Sequence, residues 1–516
     1  VIIHPHLNQI KTPMVYLEYN CKSFINFVRL KKTNIMITFI VSVIALILGY
    51  IFYGAFVERL FGVDANRPTP AFTHQDGVDY IPMPLWKVFL IQFLNIAGTG
   101  PIFGAIGGIL FGPAAYLWIV FGCIFGGAVH DFMSGMISLR KDGASLPEIV
   151  GDELGTNVRQ VMRVFSLLLM VMVGAVFVTT PAGLLDGLTP TSGFWGSKTF
   201  WCVLIFCYYM LATLLPIDTL IGKIYPIFGV ALLIMAVGVF MGIFTHSGTM
   251  PEITEAFHTH HPKGLQIFPF LFITIACGAI SGFHATQSPM MARCLKNEKY
   301  GRIAFYGAMI TEGFVALIWA AAAIKYAGGT SEGLALKMNG NPANIVNFIC
   351  NDWMGRIGAI LAVLGVVAAP ITSGDTALRS ARLITADFLH FPQDTVLRRL
   401  AVSVPIFIIS GVLMMVKFDI LWRYFGWFNQ TLSIFTFWAV TAYLYRNGKC
   451  FYITLIPAVF MTAVCSTYIL LSPEGFRLPA VWGYSIGFAF TVALSFITIR
   501  YIRKQRIERI DIINSK

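Results

Sequence analysis

Apolar runs of roughly 20 residues, the length that crosses a bilayer as a helix, alternate with short polar connections along most of the chain. They read as spanning segments at 37–57, 85–112, 114–138, 161–180, 200–216, 220–244, 267–291, 303–325, 356–388, 399–416, 420–444, 451–471 and 480–502. The pattern predicts an all-α polytopic membrane protein of about thirteen transmembrane helices. Basic residues gather in alternate connections. One holds Arg140, Lys141, Arg159 and Arg163, the next Arg293, Lys296, Lys299 and Arg302, then Arg379, Arg382, Arg398 and Arg399, then Arg446 and Lys449. The segment 503–516 is a basic tail, and 245–266 and 326–345 carry few Lys or Arg. Positive charge marks the cytoplasmic side, so the C-terminus is expected there.

Residues 1–35 depart from the pattern. They have no sustained apolar period and hold five basic residues and one acid. The chain starts at Val1, and Met36 stands directly before the first apolar run. Met36 is therefore the expected native start, with 1–35 a non-native or disordered extension; a basic cytoplasmic arm is the alternative. The run 37–57 lacks a small-residue cleavage site and is read as an extra N-terminal span, not a signal peptide.

Composition agrees with a bilayer as solvent. Of 516 residues, 57% are hydrophobic and only 12% charged, about half the usual charge of a soluble chain. This excludes a soluble enzyme, a disordered protein and a nucleic-acid-binding domain. The net charge of +12 then serves to orient helices. The nine Cys show no paired spacing and read as reduced packing residues. No metal site and no cofactor is expected.

Two apolar segments carry interruptions that an ordinary span avoids. The first is Asn95-Ile-Ala-Gly-Thr-Gly-Pro-Ile-Phe-Gly104, where Gly98 and Gly100 permit unusual backbone angles and Pro101 suits the start of a half-helix. The second runs from Ala276 to Pro289 through Gly278, Ser281, Gly282, His284, Thr286, Gln287 and Ser288. Unpaired backbone is tolerated in hydrocarbon only where protein or a watery cavity satisfies it. Paired broken helices in two halves of a chain mark a transporter site near the midplane. Close-packed glycine-rich helices without a ligand are the alternative. The placement predicts a leucine-transporter-like inverted repeat of five plus five, with repeat one at 85–244, repeat two at 267–444, and two further helices in 451–502.

These segments, with Gly127-Ala-Val-His-Asp-Phe132, Ser138-Leu-Arg-Lys-Asp-Gly143, Phe268 to Gly301, Pro370 to Arg382 and Trp422 to Thr431, resemble the carbon-starvation protein A family over about 37–502. The resemblance implies a bacterial inner-membrane transporter of peptides or pyruvate, active in carbon starvation, with a small-molecule substrate and a coupling cation. The chain is similar to the shorter members of that family, which leaves the substrate open.

Ionisable groups inside spans are costly and are functional candidates. His130 and Asp131 form a proton relay or, alternatively, an anchor at the cytoplasmic interface. His284 lies in the second break. Glu312 sits mid-span with no evident partner, and Asn429-Gln430-Thr431 is an outer gate, a polar lining or an interfacial anchor. The substrate carboxylate is expected at the half-helix start after Pro101, with Gly98, Thr99, Gly100, Ser281, His284, Thr286 and Gln287 around it. Resemblance to the leucine-transporter architecture implies that Thr372 and Ser373 face carbonyls of Ala97 or Gly98; Asp375 or His284 is expected to carry the coupled ion, a proton rather than sodium, with helix capping the alternative role of Asp375. A channel, a membrane metalloenzyme using His130, Asp131 and His284, and a transporter-like nutrient sensor are the rival readings.

Overall fold

A computed structural model of the chain describes residues 36–77, 79–189, 193–213 and 217–514. The extension at 1–35 lies outside the described residues. The described residues are helical, apart from loops and one isolated bridge between Met83 and Leu295. In chain order the elements used below are α1 (Ile37–Phe61), α2 (Leu85–Ala97), α3 (Gly100–Phe111), α4 (Ala114–Arg140), α5 (Leu146–Leu154), α6 (Thr156–Leu188), α7 (Lys198–Ala212) and α8 (Ile217–Thr245). They continue with α9 (Ile267–Thr274), α10 (His284–Ala292), α11 (Glu298–Tyr326), α12 (Ile360–Leu389), α13 (Val396–Leu413), α14 (Phe418–Arg446), α15 (Tyr452–Leu471) and α16 (Ala480–Asn514).

Among the described residues nine helices are long and apolar enough to cross a membrane, or ten if α2 and α3, bent by 50° at their junction, form one span. The expected thirteen differ from these by three segments. Helix α7 has only 15 residues. The run 267–291 divides into α9 and α10, eight and nine residues long. Helix α14 has 29 residues, but Arg423, Asn429 and Gln430 interrupt its apolar surface.

Local chemistry explains the ends. Ser145 and Glu148 form a reciprocal capping box that starts α5. The Ser197 and Thr395 hydroxyls accept amide hydrogens at the starts of α7 and α13. Gly62, at φ +71°, ends α1.

Helices α4 and α11 are mostly buried, whereas α1 and α16 are mostly exposed. Their exposed residues are apolar, including Phe52 and Phe56 on α1 and Phe488, Phe490 and Phe496 on α16. A membrane accounts for such surfaces, because lipid solvates apolar side chains at no cost. Helix α6 packs along α12 and touches α5, α7, α13 and α14; α2 packs against α8, α11 and α12; and α4 packs against α10.

The basic connections do more than orient the chain. Arg140 pairs with the buried Glu298 at 2.6 Å and donates to the Gly62 carbonyl. Lys141 meets Asp152 at 2.9 Å and Glu153 at 3.0 Å, and Arg446 also reaches Glu153. These pairs clasp the ends of α1, α4, α5, α11 and α14 on one side of the bundle.

Candidate functional site

The two breaks lie against each other. A Cβ on Gly100 would sit 2.2 Å from the Cys277 Cβ, and one on Gly278 would lie 3.8 Å from the Pro101 Cα. Only glycine at 100 lets the chains approach so closely, while Gly278 takes φ +88° and a Cβ there would meet the Ala316 Cβ at 2.5 Å. Gly98 takes φ +49°, and a Cβ there would meet the Phe177 ring at 2.8 Å.

The first break is short and is satisfied mainly by fit. At its start the Gly98 N–H reaches the Leu94 carbonyl at a stretched 3.5 Å, and the Ser373 Oγ of α12 donates to that same carbonyl at 3.0 Å. Ser373 therefore faces Leu94, one turn earlier than the expected Ala97 or Gly98. Thr372 donates to Ala369 of its own helix instead. The reason is that the Leu94 carbonyl is the one left poorly paired where the helix opens. Beside it, the fully buried Asn95 amide and Thr99 hydroxyl make no hydrogen bond among the described residues.

The second break leaves residues 275–283 outside any helix. Three distant side chains satisfy it. Trp118 Nε1 donates to the Ile275 carbonyl at 2.9 Å. Gln430 Nε2 donates to the Phe272 carbonyl at 2.9 Å. Asn429 Oδ1 accepts from the Phe283 N–H at 2.7 Å and from the Ser281 hydroxyl at 3.1 Å, while the Asn429 carbonyl accepts from the Gly282 N–H at 3.1 Å. Asn429 and Gln430 thus hold the break open from α14. Both are fully buried, so neither is an interfacial anchor.

The break also gathers buried ionisable groups. Asp131 of α4 stands between two histidines, with His130 Nδ1 at 2.9 Å from one oxygen and His284 Nδ1 at 3.0 Å from the other. His284 Nε2 faces Glu312 of α11 at 3.5 Å. All four side chains are fully buried. His130 and Asp131 therefore belong to the bundle interior and not to the interface. Glu312 gains the partner that its sequence position did not reveal.

A second buried acid lies on α12. The Tyr225 hydroxyl of α8 donates to Asp375 Oδ2 at 2.6 Å, and Asp375 Oδ1 makes no hydrogen bond among the described residues. Asp375 ties two helices together and does not cap its own.

Two cavities approach the breaks from opposite ends. The larger, about 290 Å³, ends at Gly100 and Cys277 and opens past Trp422, Phe425, Arg423, Lys263 and Glu474. The smaller, about 30 Å³, reaches Thr286 from Arg293, Ser380 and Asp387. Beside the larger cavity Phe177 packs edge-on against Phe425, which lines it, and against Phe283, with ring centres 6.0 and 6.3 Å away. The expected substrate residues are thereby divided. Gly100 borders the larger cavity and Thr286 the smaller one, whereas Gly98, Thr99, Ser281, His284 and Gln287 border neither. Thr286 donates to the Phe283 carbonyl at 2.6 Å, and Gln287 Nε2 donates to the Thr286 hydroxyl at 3.0 Å.

The structure resembles a substrate-bound, outward-open Na+-coupled sialic acid symporter, with a TM-score of 0.52 at 14% identity over 88% of this chain and 97% of that one. That likeness is one of fold. In sequence, the chain is 44% identical over 331 residues to an uncharacterized membrane protein of Haemophilus influenzae, covering 55% of this chain and 89% of the relative. It is 30% identical over 360 residues to the peptide transporter CstA of Escherichia coli, covering 56% of this chain and 50% of the relative. With the pyruvate/proton symporter BtsT of the same organism it shares 28% identity over 370 residues, covering 59% and 51%. The chain spans about half the length of these two named transporters. The family model for carbon starvation protein CstA matches residues 34–196 and 184–349. With its broken helices, buried acids and membrane-crossing bundle, the chain is a multi-pass membrane protein that belongs to the carbon starvation protein CstA family.

Proposed function

We propose that the chain is a secondary active transporter that imports small carboxylate-bearing nutrients, peptides or pyruvate, by alternating access. The observation that carries this reading is the meeting of two broken helices at the end of a cavity, beside acids buried within the membrane-crossing bundle. The substrate carboxylate binds at the half-helix start around Gly100, where N–H groups and the helix dipole favour an anion. The orphaned Asn95 and Thr99 side chains supply further polar contacts. Rocking of repeat one (85–244) against repeat two (267–444), with opening and closing of the Phe177 contact, alternates access. The protein resides in the bacterial inner membrane with its C-terminus in the cytoplasm.

Asp375 carries the coupled proton, because a carboxyl with one bonded and one unpaired oxygen holds or releases a proton without rebuilding its surroundings. Sodium coupling is the second reading. It is supported by the Ser373 hydroxyl at the helix crossing and by the Na+-coupled symporter of similar fold.

The test is uptake of labelled pyruvate and of a dipeptide into proteoliposomes, each under an imposed proton or sodium gradient. Saturable uptake driven by the proton gradient is expected, with Asp375→Asn losing gradient-driven uptake while keeping exchange. Uptake of neither substrate under either gradient overturns the transport reading. Full proton-driven uptake by Asp375→Asn overturns its role.

A further inference from the structure

The second break brings together three residues of different helices that no sequence spacing links. Cys277 lies in the unwound segment, His284 opens α10 and Glu312 belongs to α11. One ligand atom from each, the Cys277 Sγ, a His284 ring nitrogen and a Glu312 oxygen, lies within 4.8 Å of the other two, and all three residues are buried.

The atoms turned toward this point face one another as an ion pair at 3.5 Å but form no hydrogen bond. His284 Nε2 and both Glu312 oxygens make no hydrogen bond among the described residues, although the Gly278 amide lies beside Glu312. Leaving such groups unsatisfied in a dry interior costs about 1–3 kcal/mol each, and more when charged. The Cys277 Sγ makes a long contact, 3.6 Å, with the Ser281 hydroxyl and lies beside His284.

The other side of His284 is ordered as a metal ligand's would be. Its Nδ1 meets Asp131 Oδ2 at 3.0 Å, and Asp131 is held in turn by His130. A carboxylate on one imidazole nitrogen fixes the tautomer, leaves the lone pair on the other and raises its basicity. Tetrahedral bonds of about 2.0–2.3 Å put neighbouring ligand atoms about 3.3–3.8 Å apart. The 3.5 Å between His284 Nε2 and Glu312 Oε2 already fits.

We propose that Cys277, His284 and Glu312 bind a divalent transition metal of the zinc class at the break between α9 and α10. The donor set chooses the ion. A thiolate disfavours magnesium and calcium, and a mixed S, N and O set suits zinc. Three protein ligands leave a fourth position for water or an exogenous carboxylate. The metal joins the unwound segment to the half-helix and to α11, and so fixes a break that hydrogen bonds from α14 hold on its other side. The inference stands apart from the transport reading.

The test uses the full chain in detergent under reducing conditions, loaded with Zn2+ or Co2+ and desalted. About one metal per chain is expected in wild type and in a Cys465→Ser control, with loss in Cys277→Ala and Glu312→Gln. Asp131→Asn should weaken binding about 10- to 100-fold. Cobalt-loaded wild type should show a thiolate-to-cobalt charge-transfer band, a reading that needs no variant to fold. Absence of that band, or full metal content in a monodisperse Cys277→Ala, overturns the proposal. A wild type that retains no metal does the same, and leaves a proton shared by His284 and Glu312 as the occupant.

Discussion

The breaks at 98–99 and 275–283 solve one problem by different means. In each, a helix inside the membrane opens and frees backbone groups that hydrocarbon cannot satisfy. The first break is two residues long and uses glycine. Gly98 bends the chain, Gly100 lets Cys277 close against it, and one hydroxyl from α12 covers the poorly paired Leu94 carbonyl. The second leaves nine residues unwound and needs polar side chains from α4 and α14. That longer opening leaves room for Cys277, His284 and their acidic neighbours. A short break is a steric device, whereas a long one is a polar site.

Four substitutions sharpen that contrast, from the largest effect to the smallest. His284→Leu leaves Asp131 and Glu312 buried without the cation or metal ligand between them. It should cost about 3–5 kcal/mol in detergent unfolding and be partly rescued by Glu312→Gln. Wild-type stability in the single variant would mean that the cluster carries no net charge. Asn429→Leu strips partners from the Phe283 N–H and the Ser281 hydroxyl, each worth about 1–3 kcal/mol when orphaned, for an expected loss of at least about 2 kcal/mol. A loss no larger than that of an exposed Asn would remove α14 as the support of the long break. Gly100→Ala should cost about 1–3 kcal/mol by overpacking, and Cys277→Gly in the same chain should restore most of it. Additive losses in that thermal-melt cycle would show that the two breaks do not touch. Ser373→Ala removes one neutral hydrogen bond, about 1 kcal/mol. It should leave proton-driven uptake in place; a selective loss of sodium-driven uptake would favour the sodium reading.

Much of the architecture was legible along the chain. Apolar runs located the membrane-crossing helices because a bilayer imposes a length and a composition on each segment independently. Gly98, Gly100 and Pro101 announced the first break, because backbone freedom is a property of the residue itself. The segment 276–289 announced the second by its polar content. The family resemblance agrees with the match over 34–349. Less legible were α7 and α14, whose runs looked like ordinary spans but are short or interrupted by polar groups, and the division of 267–291 into two helices too short to cross a membrane.

The site was harder to read. Asn429 and Gln430 looked like a gate, a polar lining or an anchor, because nothing on α14 tells that carbonyls and amides of a segment some 150 residues earlier lie opposite them. Glu312 had no visible partner for the same reason. The expected substrate residues formed one list in sequence, yet Gly100 borders one cavity, Thr286 another and the rest neither.

The sequence by itself determined that the chain dissolves in lipid, the position of most of its long apolar helices, where two segments open and which family the chain resembles. These follow from solvation and from local backbone chemistry, which act residue by residue. Only the tertiary structure decided that the two breaks meet, that Asp131 stands between His130 and His284, and that Cys277, His284 and Glu312 converge. Such convergence depends on how α4, α10 and α11 pack, and packing is set by shape complementarity between distant segments.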